Sequence, residues 1–165
     1  MRRLMLVPVL ALIVLAPASA NAQTPDDLVV CDAPPEGYTK VGPGASLTPE
    51  VASPQFEPSA TFTDLNYQLD LYPAKATNKA SVSSSLSWQI AANDWDLFLL
   101  DQNGDELGGS EGFQPLDPPS EFVGGPNILH CELFTIRVLN FQAVGGPAVD
   151  AVDPLALAVT TGNMK

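Results

Sequence analysis

Between Ala80 and Ala91 the chain alternates almost without a break: Val82, Leu86, Trp88 and Ile90 occupy one parity, and Ser81, Ser83, Ser85, Ser87 and Gln89 the other. A period of two sends successive side chains to opposite faces of an extended strand, whereas a helix would scatter the serines around its circumference. The segment therefore reads as a strand with one dry and one wet face, in an antiparallel sheet covered on one side. Leu65, Tyr67, Leu69 and Leu71 repeat the pattern against Asn66, Gln68, Asp70 and Tyr72, and Pro73 ends that run. Trp95, Leu97 and Leu99 lie opposite Asp96, Phe98 and Leu100, and the block meets Asn103-Gly104, a pair that tolerates the positive φ of a type I′ hairpin turn. A return strand runs from Glu106 toward Ser110, a Pro- and Gly-rich loop fills 111–127, and further strands are expected from about Ile128 to Phe141 and from Leu155 to Thr161. Short strands between turn signals, with no credible helix after the first residues, predict an all-β chain folded as a β-sandwich.

The beginning of the chain is an address. Arg2 and Arg3 precede an apolar run from Leu4 to Leu15, and Pro17 is followed by the small-x-small sites Ala18-Ser19-Ala20 and Ala20-Asn21-Ala22. This is the pattern of a secretory signal peptide over 1–22, and the run is shorter than the ~20 residues a spanning helix needs. The expected product is secreted, extracellular or periplasmic, with no membrane insertion after cleavage. From 23 to 58, prolines recur from Pro25 to Pro58 among Gly37, Gly42 and Gly44, which excludes a long helix or a central strand. This stretch reads as an extended Pro-rich N-terminal arm to one domain at 59–165, and 165 residues suit a single core. Nineteen acidic residues against 7 basic give a net charge of -12, a surface that repels phosphate backbones and anionic lipid, so nucleic acid is excluded as a partner.

Export determines how the two cysteines are read. In an oxidising compartment Cys31 and Cys131 form the one possible intramolecular bridge. Closing a loop of about 100 residues is worth roughly 4.7 kcal/mol in the chain-entropy model. The alternative, a Cys131 nucleophile with His130, is disfavoured because adjacent strand residues point to opposite faces.

Asp94-Trp95-Asp96-Leu97-Phe98-Leu99-Leu100-Asp101-Gln102-Asn103-Gly104 resembles the signature of bacterial pre-peptidase C-terminal domains, in which an Asp-x-Asp-Leu strand runs into an Asn-Gly or Asp-Gly turn. Ser110 matches the serine after the return strand, Glu121 an acidic residue further on, and Thr135-Ile136-Arg137-Val138 is similar to the family's Arg-bearing strand. Leu155 to Thr161 is similar to its last strand, whereas Cys131-Glu132-Leu133-Phe134 stands where the family has Gly-x-Tyr. The resemblance covers roughly 59–162. It implies an antiparallel jelly-roll-like β-sandwich serving as an accessory or matrix-binding module, and it carries fold more safely than function.

Candidate chemistry is sparse. Asp94, Asp96, Asp101, Asn103, Asp105 and Glu106 gather carboxylate and amide oxygens on a strand and its hairpin, the donor type calcium takes, and collagen-binding relatives of such sandwiches carry calcium. The first five are the candidate calcium ligands; the competing reading is turn chemistry, since Gly104 falls too early for an EF-hand loop. Trp88 and Trp95 fall on apolar faces and read as core. Phe113 and Phe122, in the Pro-rich loop, are the candidate partner-binding residues. With one histidine, His130, and no Gly-x-Ser-x-Gly elbow, Walker loop or His-Glu-x-x-His pair, no catalytic residue is assigned and no enzyme is expected. The expected function is a non-catalytic secreted module binding an extracellular or envelope protein or polysaccharide. A calcium-dependent adhesion or structural domain and a small hydrolase using acidic residues are the alternatives.

Overall fold

The computed structural model describes residues 27–51, 61–90, 93–111, 119–142 and 155–165. The signal-peptide reading over 1–22 and the candidate Phe113 lie outside them. Two sheets are built from β1 (Tyr38–Val41), β2 (Ser46–Leu47), β3 (Thr61–Leu69), β4 (Lys79–Ser87), β5 (Asp94–Asp101), β6 (Glu106–Ser110), β7 (Ser120–Val123), β8 (Asn127–Leu129), β9 (Leu133–Gln142) and β10 (Ala156–Thr161). The first sheet runs β1-β3-β9-β5-β6, the second β2-β10-β4-β7, and β8 pairs with β4 beside that path. An all-β sandwich is what the alternation predicts, and every strand pair but one is antiparallel among the described residues. The exception is β1 against β3, which is parallel from Tyr38 opposite Asn66 to Val41 opposite Leu69.

The dry parities meet between the sheets. Tyr67 and Leu69 of β3, Phe134, Ile136 and Val138 of β9, and Trp95, Leu97 and Leu99 of β5 face Val82 and Leu86 of β4 and Leu157 and Val159 of β10, all in one buried cluster. Tyr67 stacks on Phe134 with ring centroids 5.4 Å apart, directly across the β3–β9 ladder. Trp88 is also core, and its indole N–H donates to the Asn93 carbonyl at 3.2 Å, which makes burial of that ring affordable.

Three sequence expectations change in detail. The stretch read as an extended arm supplies an edge strand to each sheet, β1 to the first and β2 to the second; short strands at an edge tolerate the prolines that a central strand would not. The Pro-rich loop 111–127 contains β7, whose residues pair with Ser84–Ser87 of β4. The run from Ile128 to Phe141 is broken at His130–Cys131, where Cys131 takes a φ of 71° and turns the chain from β8 into β9.

Between β1 and β2 the chain crosses from one sheet to the other, with Gly44 at a φ of 68°. Buried Thr161 of β10 holds this crossing: its hydroxyl donates to the Gly42 carbonyl at 2.6 Å and accepts the Ala45 N–H at 2.9 Å. Thr161→Val keeps the shape and removes both bonds. The expected cost is about 1–3 kcal/mol, the penalty for stranding buried backbone groups, read as a lower urea midpoint.

Candidate functional site

His130 sits in the turn before β9, so strand alternation does not separate it from the sulfur atoms. Cys31 and Cys131 are bonded, with Cα atoms 5.2 Å apart, and His130 Nδ1 lies 3.4 Å from Cys31 Sγ. The Leu71 N–H donates to Nδ1 at 3.1 Å, so the ring proton resides on Nε2, which donates to the Val29 carbonyl at 2.9 Å. Both nitrogens of the chain's only histidine therefore hold backbone, tying the N-terminal segment to the end of β3. The proximity of ring and sulfur was hidden because the residue pair reads as strand when it is a turn.

The candidate calcium set does not converge. Asp94 and Asp101 stand at opposite ends of β5, and seven strand steps at about 3.3 Å span roughly 23 Å. At the far end Asp101 organises its own hairpin. Its Oδ1 accepts the N–H groups of Asn103 at 2.7 Å and Asp105 at 2.9 Å, and the Asn103 side-chain amide donates to Oδ2 at 3.2 Å. The Asp105 N–H and the Asn103 donors hold the Asp101 carboxyl below its ordinary range. Gly104 alone has a positive φ, 84°, and its N–H donates to the Asp101 carbonyl, so the turn is type I closed by a glycine bulge rather than type I′. A shallow depression of about 150 Å³ lies beside it, lined by Asp101, Gln102, Leu107, Asn127, Glu132 and their neighbours. Its two carboxylates hold turns, because Glu132 accepts the Leu129 N–H at 3.0 Å.

The near end is different. β6 stops with Ser110 opposite Leu97, which leaves the edge of β5 at Asp94–Asp96 uncovered by β6, and β7 packs against β5 and β6 there. β7 brings in Glu121, 3% exposed, beside Asp94 at 7% and Asp96 at 5%. The Ser110 hydroxyl donates to Glu121 Oε2 and receives the Phe122 N–H at 3.4 Å. Glu121 Oε1 and Asp94 Oδ1 are buried with no hydrogen-bond partner. Burial, then the carboxylates of Asp96 and Asp94, push the Glu121 carboxyl up to about 7, and burial raises Asp94 as well. Asp94, Asp96, Ser110 and Glu121, separated in the chain, thus share one patch. Their only sequence signal is the family motif, since neither spacing nor parity links Glu121 to β5.

Exposed rings form the third feature. Phe122 is 63% exposed on β7, its ring lying over Gly124, where a Cβ would come within 2.6 Å of it. Phe62 and Phe141 are more than half exposed on the outer face of the first sheet. Phe62 is directly across from Leu139, two residues before Phe141, so the two rings share one region of that face. The Arg137 guanidinium sits 4.2 Å from the Phe62 ring centroid and is held by a bidentate pair with Asp64, both contacts at 2.7 Å. Phe62 was readable in principle: within β3 it is the one aromatic residue on the parity of Asp64, Asn66 and Gln68.

No family model and no curated protein matches the chain. Among solved structures the chain is similar to the 1.0 Å crystal structure of the pre-peptidase C-terminal domain of collagenase from Bacillus anthracis, at 9% identity and a TM-score of 0.35, covering 81% of this chain and 100% of that one. A likeness this remote carries no argument about activity; the sandwich rests on its own strand pairing.

Proposed function

We propose that this is a non-catalytic binding module of an exported protein, recognising an extracellular or envelope protein or polysaccharide through the outer face of the first sheet around Phe62, Arg137 and Phe141. The observation that carries the reading is this pair of exposed phenylalanines on one sheet face, with a fixed guanidinium against the Phe62 ring. Two large rings left in water on one sheet face, beside an arginine already ordered by Asp64, form the rigid apolar and cationic anchors that dominate interfaces. Supporting the non-catalytic part, His130 has both ring nitrogens engaged by backbone, and the carboxyl with the most displaced affinity for protons, Glu121, is buried beyond reach of a substrate. Supporting export is the disulfide. Among the described residues, no helix is long and apolar enough to cross a membrane.

The test is cosedimentation with insoluble polysaccharides and with envelope preparations, comparing the wild type with Phe62→Ser/Phe141→Ser. The wild type is expected in at least one pellet, and the variant, with an unchanged melting temperature, is expected to lose retention by about tenfold or more. Equal retention of the two proteins, or no retention of the wild type, overturns the reading.

A further inference from the structure

We propose that Cys31, Cys131 and His130 form a redox-gated zinc site: when a dithiol reductant opens the bridge, the two sulfurs and the imidazole bind one zinc ion, which takes over the crosslink. The site stands apart from the aromatic face. Among the described residues, these three are the one group of histidine, cysteine and acidic side chains whose ligating atoms all lie within 4.8 Å of one another. Two thiolates and an imidazole are a donor set that zinc takes and that the hard cations do not prefer. His130 already has the posture of a ligand. Its proton resides on Nε2 and is donated to the Val29 carbonyl at 2.9 Å, the kind of backbone hold that fixes tautomer and ring in metal-binding histidines. Nδ1 keeps its lone pair and lies 3.4 Å from Cys31 Sγ. With Zn–S of about 2.3 Å and Zn–N of about 2.0–2.1 Å, neighbouring sulfur and nitrogen ligands of a tetrahedral zinc stand about 3.5 Å apart. The Leu71 N–H, which Nδ1 now accepts at 3.1 Å, yields its place to the ion.

Opening the bridge is a two-electron step. The S–S bond breaks, the two thiols of the reductant give up two electrons and two protons and close to their own disulfide, and Cys31 and Cys131 become thiols. Zinc then displaces both thiol protons. Two thiolates cancel the charge of the ion, so the group carries no net charge into a place where Cys31 is 5% and His130 4% exposed. Backbone contacts keep the sulfurs close without the bridge. The Cys131 N–H donates to the Leu69 carbonyl at 2.8 Å, the Val29 N–H to the Ala74 carbonyl at 2.8 Å, and Lys40 Nζ to the Cys31 carbonyl at 3.2 Å. Two sulfurs on one zinc stand about 3.8 Å apart, and with Cα atoms 5.2 Å apart, rotation of the two side chains about χ1 supplies that separation. Cys131 is only half-buried, so the fourth position lies on its side, open to a water that completes the tetrahedron.

The test reduces the full chain with dithiothreitol, removes the reductant by gel filtration under nitrogen, and titrates with zinc chloride against a chromophoric chelator, with the oxidised protein in parallel. The reduced protein is expected to take up one zinc per chain and to melt at a temperature that climbs with zinc concentration, whereas the oxidised protein does neither. His130 is the chain's only histidine, so its ring nitrogen resonances report ligation in the unsubstituted protein, and Nδ1 is expected to shift on zinc binding. His130→Gln is expected to weaken zinc binding by about tenfold or more, and Cys131→Ser by at least as much. No uptake by the reduced protein overturns the proposal. Equal uptake by the oxidised protein, which keeps every carboxylate, places the ion elsewhere and overturns it too. So does an unmoved Nδ1 resonance in the zinc-loaded protein, or unaltered affinity in Cys131→Ser.

Discussion

Replacing Cys31 and Cys131 together by serine is expected to lower the unfolding free energy by about 2–5 kcal/mol. The bridge spans a sequence separation of 100, so cutting it releases nearly the whole core, from before β1 to the start of β9, into the denatured ensemble. Other ties of this segment are weak by comparison. Lys40 pairs with Asp70 at 3.1 Å and Lys75 with Asp27 at 2.6 Å, but both pairs are substantially exposed, and such pairs contribute about 0–1 kcal/mol. The His130 link to Val29 survives the substitution and continues to hold the segment in place. The loss should therefore appear chiefly through the unfolded chain: a lower urea midpoint together with a steeper m-value, as the unbridged chain exposes more surface. A loss under about 1 kcal/mol would mean that the bridge constrains little in the denatured state.

The legibility of this chain follows the periodicity of its residues. Where one face of a strand is dry and the other wet, as in β4 and in the Trp95–Leu99 stretch of β5, the core residues can be named from parity alone, and Val82, Leu86, Trp95, Leu97 and Leu99 are all buried. β7 was not legible. Four residues, Ser120–Val123, are too short for a pattern, and Glu121 on its buried parity reads as a loop residue although it is 3% exposed. The same blindness split the candidate site wrongly. Nearness in sequence grouped Asp94 and Asp96 with Asp101, Asn103 and Asp105, yet a strand is a spacer, and it carries the two ends of β5 far apart. What joins Asp94 and Asp96 to Ser110 and Glu121 is the stop of β6 and the packing of β7 between the sheet edges, a long-range event with no local signature. Turns misled in another way. Asn103-Gly104 does mark the hairpin, but Asp101 captures the turn amides with its own carboxylate and selects the bulged form.

Glu121 makes the second large prediction, and its sign follows from which state holds more protons. The ordinary value of 4.5 is moved in the fold to about 7, first by burial and then by Asp96 and Asp94. Between those values the folded protein binds more protons than the unfolded chain, so this group makes stability fall as pH rises from about 4.5 through 7, and the penalty is complete above that window. At 1.36 kcal/mol per pH unit the penalty is about 3 kcal/mol. Other groups act oppositely. Asp101, lowered by the Asp105 and Asn103 donors, adds stability that is lost only in acid, so the wild-type curve alone would mix the two effects. The difference between Glu121→Gln and wild type isolates Glu121. The variant is expected to be more stable by up to about 3 kcal/mol at pH 8 and nearly equal at pH 4.5, measured by urea unfolding across that range. A gap that stays constant with pH would show that Glu121 does not carry the shifted proton.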